Sequence, residues 1–145
     1  MSNCLIKTIV GESILQLTIN RPDKRNAISY EVMDELDAAI DMASADNRVK
    51  ILLIRGAGEQ AFCSGGDLSE FHSLETEEKA FGMLSKMGQI LYKLATFSKP
   101  TIAYINGTAI GGGCEIATAC DIRIAKQGAK MGFVQGYQAI TTGWG

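Results

Sequence analysis

Ten residues, Asn106-Gly107-Thr108-Ala109-Ile110-Gly111-Gly112-Gly113-Cys114-Glu115, set three glycines between an apolar strand and the start of a helix whose first turn carries a carboxylate. Helix N-termini expose unpaired N–H groups and the positive end of the aligned peptide dipoles, so negative charge on a bound oxygen is stabilised there. Glycine lets a carbonyl group approach such a backbone closely, because no β-carbon stands in the way. The chemistry this pattern offers is an oxyanion held beside an acid or base. A second glycine turn, Phe62-Cys63-Ser64-Gly65-Gly66-Asp67-Leu68, follows the apolar run Ile51-Leu52-Leu53-Ile54 after a short loop. Two turns supply two backbone donors, and loss of one oxyanion-hole donor commonly costs about 10²- to 10³-fold in rate. Read alone, either cluster is also compatible with a tight turn or close packing.

Other chemistries fit less well. A dinucleotide fingerprint needs G-x-G-x-x-G and a phosphate loop needs G-x-x-x-x-G-K-[ST], and neither pattern occurs. The cysteines at 4, 63, 114 and 120 have no C-x-x-C spacing, and His72 is the single histidine, so no zinc site and no disulfide framework is expected. Cys63 and Cys114 flank the glycine turns, but a cysteine nucleophile needs a nearby base, and His72 falls in a polar loop.

The elements that must carry these turns are read from periodicity. Alternation in Leu5–Val10 and Ile14–Ile19 predicts a hairpin around Gly11-Glu12-Ser13. Ser29 is placed to cap a helix over roughly residues 30–45, with Val32, Met33, Leu36, Ile40 and Met42 as its apolar stripe. Ile51 to Ile54 reads as a buried strand. A second helix is expected over roughly 76–97, carried by Ala80, Met83, Leu84, Met87, Ile90, Leu91 and Leu94 and ended by Lys99-Pro100. Thr101–Ile105 reads as a strand, Gly112–Ala119 as a short buried helix and Ile122–Ala125 as another strand. Strands alternating with helices predict an α/β domain of parallel crossover units. With 145 residues, 46% of them hydrophobic, and a net charge of −2, one soluble globular domain spanning 1–145 is expected. There is no basic run for nucleic acid, no basic leader and no apolar stretch long enough to span a membrane, so a cytoplasmic location with reduced thiols is expected.

Three motifs together go further. Arg21-Pro22-Asp23-Lys24-Arg25-Asn26-Ala27, then Cys63-Ser64-Gly65-Gly66-Asp67-Leu68, then Gly111-Gly112-Gly113-Cys114-Glu115 with Cys120-Asp121-Ile122-Arg123-Ile124-Ala125, resemble the enoyl-CoA hydratase/isomerase (crotonase) superfamily in order and spacing. The resemblance implies a crotonase-like (ClpP/crotonase) spiral of ββα units. Because family members run well past this length, the chain is expected to lack the C-terminal helical region. The resemblance also implies a homo-oligomer, a trimer or dimer of trimers, and no permanently bound cofactor and no metal, coenzyme A entering as part of a thioester substrate.

Roles for residues follow from the same resemblance. The amides of Gly66 and Gly112 would hold the thioester oxygen, and Glu115 would face the acyl group as general acid or base. Its residue-level alternative is a carboxylate that pairs with the helix dipole or a salt-bridge partner. Lys24, Arg25 and Ala27 would lie near the adenine and pyrophosphate of coenzyme A, with Ser64, Asp67 and Leu68 shaping the pantetheine path; Lys24 and Arg25 otherwise read as a solvated loop. Asp67 also reads as the cap of the turn that follows it. Family hydratases place a second glutamate where this chain has Gln135, and a carboxamide cannot exchange a proton at neutral pH. That departure brings in double-bond isomerisation, or decarboxylation of a methylmalonyl- or ethylmalonyl-type thioester, since Phe133-Val134-Gln135 with Thr141-Thr142-Gly143-Trp144-Gly145 is similar to the ethylmalonyl-CoA decarboxylase branch. A non-catalytic acyl-CoA-binding subunit is the reading of a different class. Tyr137 and Trp144 are read as pocket or core aromatics without an assigned role.

Overall fold

The computed structural model describes residues 3–144, so expectations that touch Met1, Ser2 and Gly145 lie outside the described residues. Strands β1 (Leu5–Val10) and β2 (Ile14–Ile19) form the antiparallel hairpin, turned at Gly11. Period-two alternation sends Leu15, Leu17 and Ile19 inward, where they are buried. Helix α1 (Tyr30–Ala45) begins where the Ser29 hydroxyl accepts from the Val32 amide at 3.3 Å. Its buried stripe is Val32, Met33, Leu36, Ala39, Ile40 and Ala43. Met42, expected in that stripe, is 49% exposed. It lies one residue, about 100° of rotation, from Ala43, which holds the inward position instead.

Strand β3 (Ile51–Gly56) runs two residues beyond the apolar run, and only alternate residues are fully buried: Leu52 and Ile54 lie inside while Ile51 and Leu53 are half-buried. The chain therefore covers one face of this strand more completely than the other. Helix α3 (Glu77–Ala95) is capped by Thr76, whose hydroxyl accepts from the Lys79 amide, and buries Met87, Ile90, Leu91 and Leu94. It lies across α1, where Lys93 Nζ reaches Asp37 at 2.7 Å and Asp41 at 2.9 Å. With β5 (Thr101–Ile105) and β7 (Ile122–Ala125) the main sheet has the order β1-β2-β3-β5-β7, parallel from β2 onward.

Periodicity gave no sign of a second sheet. Strands β4 (Ala61–Cys63), β6 (Thr108–Ile110) and β8 (Met131–Gly132) pair in that order, all parallel. Two or three residues are too few to display a period, and Phe62 and Cys63 read as part of the glycine turn when they are its entering strand. Chain order makes the architecture clear: β3 passes to β4, β5 to β6 and β7 to β8, and α4 (Gly112–Ala119) follows β6. Each pass lays one strand in the large sheet and one in the small sheet. The loops that leave β4 and β6 thus emerge side by side, and those loops are the two glycine turns.

Candidate oxyanion site

Gly66 sits just after β4 and Gly112 is the first residue of α4. The turns touch: a β-carbon built on Gly65, whose φ is +98°, would lie 3.3 Å from the Gly112 nitrogen. Backbone bonds pin the first turn against the preceding loop, Ile28 N donating to Gly65 O at 2.8 Å, Asp67 N to Ile28 O at 2.9 Å and Ser64 N to Arg25 O at 3.1 Å. These bonds leave the Gly66 N–H without an acceptor among the described residues. The Gly112 N–H belongs to the first turn of α4 and has no partner within its helix. One indole reaches both glycines, although Phe71 stands nearer to Gly66, its Cε2 2.7 Å from a β-carbon built there. A β-carbon on Gly66 would lie 3.3 Å from Cζ2 of Trp144, and one on Gly112 would lie 2.3 Å from Cζ3 and 2.7 Å from Cη2 of the same indole.

Glu115 stands one turn into α4 and is 6% exposed. Its Oε1 accepts from the Trp144 amide at 3.3 Å. Glu115 and Trp144 together line a cavity of about 480 Å³, completed by Gly88, Leu91, Tyr92, Ala95, Thr118, Ala119 and Phe133. A cavity of that size falls within the range of small-molecule pockets. Gln135, in the 3-10 turn Val134–Gln138, is 8% exposed and packs on the residue that precedes the helix: a β-carbon on Gly111 would lie 3.4 Å from its Nε2. Its Oε1 is buried and accepts no hydrogen bond among the described residues. Buried polar atoms are rarely left in that state.

The residues expected on the coenzyme side fall on the opposite side of the first turn. Lys24, in the 3-10 turn Pro22–Lys24, and Arg25, left-handed at φ 50°, are exposed, whereas Ala27 is buried. Ser64 is joined to this loop by its backbone and by its hydroxyl, which donates to Lys24 O at 3.4 Å. Leu68, the first residue of α2 (Leu68–Phe71), is 75% exposed. Asp67 turns inward. One carboxylate oxygen accepts from Arg21 at 2.7 Å and the other from Ser69 N at 3.0 Å and Ser69 Oγ at 2.5 Å, so it caps α2 and ties it to the first loop. Arg21 completes the clamp by donating to Ala27 O at 2.8 Å.

Burial alone would push the Asp67 carboxyl up, but the hydrogen bonds from Ser69 and Arg21 outweigh it and hold the group below its ordinary 3.8. A carboxyl lowered in the folded state adds stability at pH values above 3.8 that is lost as pH falls through the folded value. Asp67→Asn is therefore expected to cost about 2 kcal/mol at neutral pH, between the exposed and the fully buried ion-pair cases. Denaturant melts at pH 7 and pH 3 check this, since the gap between wild type and variant should narrow at the lower pH.

Burial pushes the thiols of Cys63 and Cys120 up to about 12 and raises that of Cys114 as well, so none of the three is a ready thiolate. His72 caps the end of α2 and is exposed. No group of three or more potential metal ligands is found among the described residues, and no helix there is long and apolar enough to cross a membrane. Two residues without an assigned task prove central to the geometry. Trp144 gave no signal, because a lone aromatic in a glycine-rich stretch has no periodicity to place it. Arg21 gave a partial one, since a cation beside a proline turn asks for an anion, although nothing in the sequence says that Asp67, 46 residues on, supplies it.

The sequence profile of the enoyl-CoA hydratase/isomerase family matches residues 10–141. The chain is 41% identical over 130 residues to the short-chain-enoyl-CoA hydratase of Clostridium acetobutylicum, an alignment covering 89% of this chain and 49% of that protein. It is 39% identical over 135 residues to the mitochondrial methylglutaconyl-CoA hydratase of Mus musculus, covering 93% and 43%. Among solved structures, an enoyl-CoA hydratase from Bacillus anthracis superposes with a TM-score of 0.94 at 30% identity, covering 99% of this chain and 55% of that one. The chain thus spans about half the length of the relatives it matches.

Proposed function

The chain belongs to the enoyl-CoA hydratase/isomerase family, and from that premise we propose that it acts on an acyl-CoA thioester whose carbonyl oxygen lies between the amides of Gly66 and Gly112. The observation that carries the proposal is that two N–H groups without acceptors among the described residues, from separate turns that touch, lie beside the buried Glu115. Charge that develops on the thioester oxygen as an enolate forms would meet two fixed donors and the dipole of α4 in a site with little water. Lys24 and Arg25, both exposed, would meet the phosphates of coenzyme A, and Ala27, Ser64, Asp67 and Leu68 would shape the path between them and the glycine turn.

One carboxylate suffices for the proton movements. In an isomerisation Glu115 takes a proton from one carbon of the acyl chain, the enolate oxygen rests on the two amides, and the proton returns at the other end of the conjugated system. In a hydration the water gives its proton to Glu115 as its oxygen bonds to the β-carbon, and Glu115 passes a proton to the α-carbon. The unpaired Oε1 of Gln135 would accept the water's second proton in a hydrogen bond without taking it.

Gln135 also favours a second reading, the decarboxylation of a malonyl-type thioester. There the carboxylate leaves as carbon dioxide, its electron pair passes into the enolate, and the α-carbon is then protonated; an amide that donates a hydrogen bond suits that anion better than a second carboxylate would. Loss of enoyl absorbance from crotonyl-CoA, run beside carbon dioxide release from methylmalonyl-CoA, decides between the two. Turnover of the first and not the second is expected; turnover of neither, together with no gain of enoyl absorbance from a 3-enoyl-CoA, would remove the catalytic proposal.

A further inference from the structure

We propose that Trp144 limits acyl length: its indole narrows the way from the two glycine turns into the cavity that Glu115 also lines, so short acyl groups fit and long ones must displace the ring. This inference rests on the acyl-CoA reading and assigns a task to a side chain that carries none in that reading. Trp144 touches both glycines through its six-membered ring, and it also lines the cavity of about 480 Å³. Neither Gly66 nor Gly112 is among the residues lining that cavity. The ring therefore lies against both glycine turns and at the edge of the cavity.

The ring is held where it is by its own backbone. Trp144 N donates to Glu115 Oε1 at 3.3 Å, and the segment rests on α3, where a β-carbon on Gly88 would lie 3.3 Å from Trp144 O and one on Gly143 would lie 2.7 Å from Leu84 Cδ2. No hydrogen bond holds the indole nitrogen among the described residues. The indole is thus fixed at its root and free of polar anchorage at its edge, which suits a part that sets a length limit by bulk. Beside it, Leu91, Ala95, Ala119 and Phe133 give the cavity an apolar stretch of wall suited to methylenes, next to the polar groups of Glu115, Thr118 and Tyr92.

Calorimetric titration of the chain with butanoyl-, octanoyl- and dodecanoyl-CoA tests the inference. Wild type is expected to bind butanoyl-CoA more tightly than dodecanoyl-CoA. Trp144→Ala, by widening the way into the cavity, is expected to shift that ratio toward the long chain by at least about tenfold, the scale of two newly buried methylenes. If Trp144→Ala does not fold, Trp144→Leu is measured in the same way. As the only tryptophan, Trp144 also reports directly, and its emission should change with butanoyl-CoA and stay constant with coenzyme A lacking an acyl group. Binding with an unchanged length ratio, or binding that leaves the emission unmoved, overturns the role of Trp144 and leaves the acyl-CoA reading standing. If no acyl-CoA binds to any form, the acyl-CoA reading fails and this inference fails with it.

Discussion

Glu115→Gln should lower turnover of a CoA thioester by about 10²- to 10⁴-fold, the range ascribed to a positioned acid–base group, while leaving thioester binding and the melting temperature nearly unchanged. The substitution isolates proton transfer because glutamine has the same shape and its Oε1 can still accept the hydrogen bond that Glu115 takes from the Trp144 amide. A carboxamide holds no exchangeable proton at neutral pH, so only the chemical step suffers. Glu115→Ala would be a poorer test, since it leaves a hole beside the indole and drops that hydrogen bond at once. A Gln variant that keeps turnover within a few-fold would mean that protons reach the acyl chain by another route.

The largest loss of stability is expected from Gly113→Ala. A β-carbon there would lie 2.0 Å from the carbonyl oxygen of Cys63 and 2.8 Å from its carbon, and both atoms belong to the backbone of β4. No rotamer change relieves that clash. Helix α4 must move away from β4, and because the Gly112 N–H starts that helix, the amide proposed to hold the thioester oxygen moves with it. Overpacking of this kind costs about 3 kcal/mol, at the upper end of its usual range. For a domain of this size that corresponds to a fall of roughly 10 °C in melting temperature. Gly82→Ala is the internal control: nothing lies within 4 Å of its β-carbon position and it sits inside α3, so a gain of about 0.5–1 kcal/mol is expected from helix propensity. Thermal melts of the two variants side by side separate a crowding effect from a general intolerance of alanine.

How far the sequence could be read depended on how local the relevant physics was. The long helices and the larger strands announced themselves, because periodicity over five or more residues and a capping hydroxyl at Ser29 are written in consecutive positions. The glycine turns were legible for the same reason, since three side-chain-free residues before a helical carboxylate have few other uses. The small sheet was not, as β4, β6 and β8 are two or three residues each and exist only because the larger sheet brings them together. Met42 misled because a stripe read by eye admits its neighbour, while packing against β1 and β2 accepts only the residues that face them. The seat of Trp144 against Gly66 and Gly112 and the pairing of Arg21 with Asp67 join distant stretches of chain, and nothing in either stretch names its partner.

The alternation of strands between two sheets has a consequence for the growing polypeptide. Arg21 leaves the ribosome long before Asp67, Gly66 well before Gly112, and both glycines before the indole that covers them. The earlier half of each contact must wait for a later arrival, and the growing main sheet presents one unpaired edge, that of β3 until β5 arrives and that of β5 until β7 does. Translation pauses or holding chaperones that shield those edges would therefore act on the yield of native protein before any property of the finished fold comes into play.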